Sequence, residues 1–363
     1  MPPDIPDHHL LRRIGRGSYG EVWLARNVVG SFRAVKIVYR DTFEDSRPYE
    51  REFAGIQRYE PVSRSHEGLT DVLQIGRHDA AGYFYYVMEL ADNAPRTPGD
   101  GGGTKAANGM DVSREDSHLQ SSSLDPGTYT PRTLEHDRKL GGRLPVDECI
   151  QIGITLADAV EHLHRNQLVH RDIKPSNVIF VGGRPKLADI GLVASLGEAR
   201  TMVGTEGFVA PEGPGTPQAD IFSLGKLLYE IATGHDRGKY PAPVTSLADS
   251  PDRARLQEIN EVILRACESD PAGRYATMAA LRAELLLVQA GESLRRSRAI
   301  ERHFRRFRRG AAVGLGLILI GATGFFLVQR ERVARLRADL KAATVEKAAQ
   351  EREAALDRDR LVL

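Results

Sequence analysis

Asp172, Lys174 and Asn177 fall inside one short stretch, Val169-His170-Arg171-Asp172-Ile173-Lys174-Pro175-Ser176-Asn177-Val178. A candidate base, a cation and a metal-ligating amide are thereby brought into a single loop. Far upstream, Gly15, Gly17, Gly20 and Val22 fit G-x-G-x-x-G-x-V, where missing side chains let backbone amides close over phosphates. A glycine-rich hairpin turn reads the same way. So does a dinucleotide fold, but there a helix should follow the glycines, and here β-like sequence follows. Lys36, in Ala34-Val35-Lys36-Ile37, sits among apolar neighbours on a predicted strand. Its ammonium is either aimed at α and β phosphates or is that of an ordinary strand lysine facing solvent. A phosphate-facing lysine needs a carboxylate on a helix to hold it. Glu52, beside Phe53, is the first candidate and Glu50 the second.

The elements that must position these groups follow from periodicity. From Leu10 to about Asp92, short β-like runs at Glu21 to Leu24, Arg33 to Val38 and Tyr83 to Leu90 alternate with Gly and polar turns. One helix interrupts them at about Arg51 to Glu60, where Phe53, Ile56 and Tyr59 recur every third residue. Residues 93–129 are rich in Gly, Ser, Asp, Asn and Pro and read as a flexible insertion. Beyond them the period is helical, with Ile150, Ile154, Val160 and Leu163 in one long run. Further helices are expected at Ile221 to Thr233, Leu256 to Cys267 and Met278 to Val288. The expected class is α+β, with a small β-rich N-lobe (10–91) and a larger α-helical C-lobe (92–290).

On the Asp172 loop, preceded in order by Gly15, Gly17, Gly20 and Lys36, the chain resembles the eukaryotic-like serine/threonine protein kinases, in the bacterial receptor-like, membrane-anchored arrangement. The resemblance covers about Leu10 to Ala290. It implies ATP and Mg2+ as cofactors and protein hydroxyls as substrates. It implies that Asp172 orients the hydroxyl and takes its proton, that Lys174 contacts the moving phosphoryl group, and that Asn177 and Asp189 hold magnesium. Backbone groups of Glu89 and Ala91 would bind adenine, with Met88 behind the ring. Asp189-Ile190-Gly191 departs from the family's D-F-G at Ile190, which bears on loop packing and regulation. Ala210-Pro211-Glu212 supplies A-P-E, Arg274 is the expected partner of Glu212, and Asp220 resembles the buried aspartate that anchors the catalytic loop. Lys174, together with Thr205, points to serine/threonine substrates. Arg171 suits a phosphorylated activation loop, with Ser195 and Thr201 as candidate sites. Two other readings compete: a pseudokinase scaffold, supported by Ile190 alone, and a small-molecule kinase, which would not need the Ala210-Pro211-Glu212 segment.

Composition narrows the partners. Lys plus Arg number 50 against 49 acids, so nothing favours nucleic acid as a partner of the whole molecule. Cys149 and Cys267 are the only cysteines, too few for a disulfide framework or a zinc site. The first ten residues lack the basic start and apolar run of a secretory signal. Eight arginines against one acid, Glu301, make Arg295 to Arg309 the most basic stretch, part of a juxtamembrane segment at 291–309. It leads into Gly310 to Val328, 19 residues without a charge, read as a single transmembrane helix with the kinase domain on the cytoplasmic side. Gly310 and Gly314 match G-x-x-x-G, a weak signal for a homodimer. Residues 329–363 read as a short charged helical tail.

Overall fold

The computed structural model describes residues 2–17, 20–95, 124–189, 194–195, 204–242, 252–292, 319–345 and 347–349. The chain divides into two compact units, Met1–Leu294 and Arg295–Leu363.

The first unit opens with an antiparallel five-stranded sheet of β1 (His8–Arg16), β2 (Gly20–Asn27), β3 (Phe32–Tyr39), β4 (Val72–His78) and β5 (Tyr83–Met88). Its spatial order is β1-β2-β3-β5-β4. All six residues of β5 are buried. Because successive side chains of a strand point to opposite faces, Phe84, Tyr86 and Met88 join one core while Tyr83, Tyr85 and Val87 join another. Aromatic and β-branched residues suit such a strand, which cannot show a polar face.

Helix α1 (Ser46–Ser63) packs on the first of those faces, capped by the Asp45 carboxylate, which accepts from the Arg47 N–H at 3.2 Å. It is longer at both ends than the predicted helix. Its buried stripe is Tyr49, Glu52, Ile56, Tyr59 and Ser63. The spacing of three and four is that of one helical face, and it carries a carboxylate inward with the apolar residues.

The second lobe is helical: α2 (Leu134–Gly141), α3 (Val146–Arg165), α4 (Pro217–Thr233), α5 (Arg253–Ala266) and α6 (Met278–Gln289). Short strands β6 (Leu168–Val169), β7 (Val178–Val181), β8 (Arg184–Leu187) and β9 (Ala194–Ser195) flank the predicted catalytic loop. Thr133, Thr216 and Thr277 cap α2, α4 and α6 through their hydroxyls, and Pro217 stands in the first turn of α4, where no amide partner is lost. These starts lie up to four residues before the apolar runs that signalled the helices.

Two boundaries differ from expectation. The ordered lobe reaches back to Ile5, which is buried and bridges to His8, so it starts before Leu10. The insertion predicted to run through Tyr129 has an ordered end. Asp125 folds a turn by accepting from the Gly127 N–H and the Thr128 hydroxyl, both at 2.9 Å, and Tyr129 is buried. One aromatic residue among polar neighbours does not register in a composition average, yet it supplies the burial that fixes this turn. Residues 96–123 of the insertion lie outside the described residues.

In the second unit, residues 319–345 form a helix with exposed side chains and an Arg335–Glu331 pair at 3.2 Å. Among the described residues no helix is long and apolar enough to cross a membrane. Residues 310–318 of the predicted span, Gly310 and Gly314 among them, and the whole basic stretch from Arg295 to Arg309 lie outside those residues.

Candidate active site

Positioning begins with the glycine hairpin. The Gly17 N–H donates to the Gly20 carbonyl at 2.9 Å, and Gly15 pairs across the ladder with Val22. A Cβ on Gly20 would stand 2.1 Å from the Ile37 carbonyl oxygen, so only glycine lets β2 lie this close to β3. Ser18 and Tyr19 lie outside the described residues. On β3, Lys36 is buried, and its Nζ bonds Asp189 Oδ1 at 2.5 Å.

The expected Lys36–Glu52 ion pair is not formed. Glu52 points inward from α1 as predicted, but its buried Oε1 has no hydrogen-bond partner among the described residues. The Glu50 alternative is ruled out by its partner, since both its oxygens accept from Arg77 at 2.7 Å at the surface. Lys36 has one short reach and two carboxylates to choose from, and it is committed to Asp189.

The catalytic loop is held by Asp220 on α4. Its carboxylate accepts from the N–H groups of His170 and Arg171 and from His164 Nε2, each at 2.9 Å, and it is wholly buried. Burial pushes the Asp220 carboxyl up, but these donors outweigh it and hold it below the usual range. Arg171 has φ of 72°, a left-handed conformation that a non-glycine residue holds only under constraint. The Asp220 bond to its amide supplies that constraint. His170 donates from Nε2 to the Ala188 carbonyl at 3.2 Å, and burial lowers its pKa, so it is a neutral structural group.

At the floor of the cleft, Asp172 Oδ2 accepts from Lys174 Nζ at 2.7 Å and from Asn177 Nδ2 at 2.9 Å, while Oδ1 accepts from the Thr205 hydroxyl at 2.9 Å. Lys174 Nζ also donates to Thr205 Oγ1 at 2.7 Å. Base, cation, amide and hydroxyl thus form one closed network. Thr205, read from the sequence only as a marker of substrate class, is part of it.

A cleft of about 440 Å³ runs from Gly15, Gly17 and Val22 past Lys36 to Asp172, Asn177 and Asp189, with Met88, Glu89 and Ala91 on its inner wall. Every residue singled out for catalysis, nucleotide or metal lines it except Glu52, behind Lys36, and Gly20, in the hairpin. The Glu89 N–H donates to the Asp71 carbonyl at 3.3 Å, and the Glu89 carboxylate takes Lys186 at 2.6 Å. The Ala91 carbonyl accepts from the Tyr129 hydroxyl at 3.0 Å. Tyr129 also lines the cleft and was missed, because it lies after the insertion, far in sequence from every motif.

A divalent cation fits the donors present. The Asn177 amide nitrogen is used by Asp172, which leaves its Oδ1, and Asp189 commits only Oδ1 to Lys36. Two hard oxygens, completed by water and phosphate, suit Mg2+. Among the described residues no cluster of three or more His, Cys, Asp or Glu could hold a metal unaided. Burial pushes the Asp189 carboxyl up, but the Lys36 charge and hydrogen bond hold it below the usual range, ready as an anionic ligand. Burial pulls Lys36 down, yet Asp189, Tyr86 and Glu52 outweigh that and keep it charged.

Glu52 is the contrasting case. Burial raises its pKa from 4.5 to about 7, against a smaller lowering by Lys36. An acid with a raised folded pKa holds its proton in the native state where the unfolded chain has lost it. The Glu52 contribution to stability is therefore fully present below pH 4.5 and is lost as pH rises through about 7. Glu52→Gln removes this dependence. Urea unfolding should show the variant close to its parent at pH 5 and more stable by roughly 2–3 kcal/mol at pH 8. Equal pH slopes in the two proteins would overturn the assignment.

A β-sheet lobe over a helical lobe, with this cleft and network between them, is the protein kinase fold. Comparison with known proteins agrees: residues 128–283 match the protein kinase domain family. The chain is 26% identical over 291 residues to a probable serine/threonine-protein kinase of Clostridium perfringens, covering 74% of this chain and 36% of that one. It is 24% identical over 298 residues to the serine/threonine-protein kinase PrkC of Bacillus subtilis, covering 77% of this chain and 40% of the other. With the serine/threonine-protein kinase PknB of Mycobacterium leprae it shares 26% over 324 residues, 80% of this chain and 44% of the other. The matched part is thus less than half the length of each of these relatives. Residues 128–283 thus resemble a protein kinase domain, and the relatives that the longer stretch resembles are serine/threonine-protein kinases.

Proposed function

We propose that the chain transfers the γ-phosphoryl group of ATP to serine and threonine hydroxyls of protein substrates. The observation that carries this reading is the closed network of Asp172, Lys174, Thr205 and Asn177 beside the Lys36–Asp189 pair. Asp172 lines the cleft, and its Oδ1, which among the described residues accepts only from Thr205, keeps a lone pair that can orient a hydroxyl and receive its proton. Lys174, 2.7 Å from both Asp172 and Thr205, places positive charge where the moving phosphoryl group would carry negative charge. Lys36, bonded here to Asp189, would bind phosphate oxygens. Bound magnesium supplies charge neutralisation, held by Asn177 and Asp189.

The finer part of the reading is a membrane anchor. Residues 310–328 would span the bilayer once, the preceding arginines would hold the kinase domain at the cytoplasmic face, and Gly310 and Gly314 would serve a dimer. One experiment addresses both parts. Cells producing the full chain are separated into membrane and soluble fractions, and labelled ATP with Mg2+ is added along with a generic basic protein. We expect phosphoserine and phosphothreonine formed by the salt-washed membrane fraction, and a dimer in its detergent extract. Activity confined to the soluble fraction would remove the anchor alone. ATP binding without transfer would replace the kinase reading by the pseudokinase scaffold, for which Ile190, outside the described residues, was the only support. Phosphosites mapped from the same material would test Ser195, whose side chain is not described, and Thr201, which lies outside the described residues.

A further inference from the structure

The inner wall of the cleft carries a hydrogen-bonding edge with one position already taken. In residue order it offers the Glu89 carbonyl, the Ala91 N–H and the Ala91 carbonyl. Both residues line the cleft. Among the described residues neither the Glu89 carbonyl nor the Ala91 N–H has a hydrogen-bond partner. The Ala91 carbonyl does: the Tyr129 hydroxyl, at 3.0 Å. Tyr129 is 1% exposed, lines the same cleft, and is fixed from several sides. Arg12 of β1 donates to the carbonyls of Tyr129 and, at 3.0 Å, Pro126. Asn93 Oδ1 accepts from the Thr130 N–H at 3.0 Å, and the Ala94 N–H donates to the Thr130 carbonyl at 2.8 Å. These bonds hold the backbone of the segment, and burial holds the ring.

Resting on the nucleotide reading above, we propose that Tyr129 is a specificity-determining residue: by occupying the Ala91 carbonyl it restricts the site to purines that carry no hydrogen-bond donor at C2. The Watson–Crick edge of adenine presents a donor at N6, an acceptor at N1 and an apolar C–H at C2. This order complements a free carbonyl, a free N–H and a third position that asks for nothing. A purine with an amino group at C2 meets a carbonyl that already accepts from the Tyr129 hydroxyl. Its amino group is desolvated without a partner, which is the costly half of hydrogen-bond exchange.

The test uses the full chain and two probes, ATP and 2,6-diaminopurine riboside triphosphate, which adds one amino group at C2. Affinities are measured by calorimetry for the parent and for Tyr129→Phe, which keeps the buried ring and removes the hydroxyl. The parent should bind the diamino probe no more tightly than ATP. In the variant the affinity ratio of diamino probe to ATP should rise about 3- to 10-fold, the worth of one net hydrogen bond. Tyr129→Leu, which also removes the ring, should shift the ratio the same way while weakening ATP itself. Because each ratio is internal to one protein, a loss of stability in a variant cancels. A purely structural tyrosine would move both affinities together, so an unchanged ratio in proteins that still bind ATP overturns the assignment and leaves the nucleotide reading standing. Failure of the parent to bind either probe overturns both.

Discussion

Asp172→Asn is expected to lower phosphoryl transfer by about 10²- to 10⁴-fold while leaving ATP binding near that of the parent, the range spanned by loss of a positioned general base. The network explains why this substitution isolates chemistry from folding. An asparagine can turn its oxygen toward Lys174 and Asn177, which both donate to Oδ2, and its amide toward Thr205 Oγ1, which can accept. The side chain stays in place and the proton acceptor is gone. Transfer to a basic protein substrate, followed by radiolabel, reads the first quantity, and calorimetry with ATP reads the second. A variant retaining transfer within about one order of magnitude would mean that Asp172 is not the base.

Asp220→Ala carries the largest expected effect on stability, a loss of about 3–5 kcal/mol by urea unfolding. Removing the carboxylate strands the amides of His170 and Arg171 and the His164 ring in a region closed to water. Orphaned buried donors cost about 1–3 kcal/mol each. The left-handed backbone at Arg171 loses its restraint at the same time, so the loop should relax and activity should fall further than stability alone explains. Asp220→Asn keeps one acceptor and should cost less. A loss below about 1 kcal/mol for the alanine variant would show that water or neighbouring groups replace the carboxylate.

The reason these residues could be named in advance is locality. Asp172, Lys174 and Asn177 share one loop, so their types and spacing carry the site without knowledge of the fold. Lys36 and Asp189 are 153 positions apart, so no spacing rule joins them, and only the family resemblance implies a shared cleft; the structure bonds them at 2.5 Å. Periodicity gave β5 and the inward stripe of α1, because burial on both faces and on one face leave different patterns. What periodicity cannot supply is the choice between two possible partners. Glu52 and Asp189 both approach Lys36, and the decision rests on side-chain reach and desolvation that no spacing rule contains. The same applies to Tyr129, whose importance comes from what the chain brings back to the cleft after a polar excursion of uncertain-looking sequence. Arg274 was easier. It is fully buried, meets the Glu212 carboxylate at 2.6 and 2.8 Å, and gives its remaining donors to the carbonyls of Glu268, Gln218 and Ser269.

Arg12 has a mechanical meaning as well. Two lobes joined by a single extended segment can both open and twist about it. Arg12 belongs to the strand that leads into the glycine hairpin, and it grips the carbonyls of Pro126 and Tyr129 just ahead of the first helix of the other lobe. That second tie lies outside the extended segment, so a twist between the lobes would have to stretch these two hydrogen bonds.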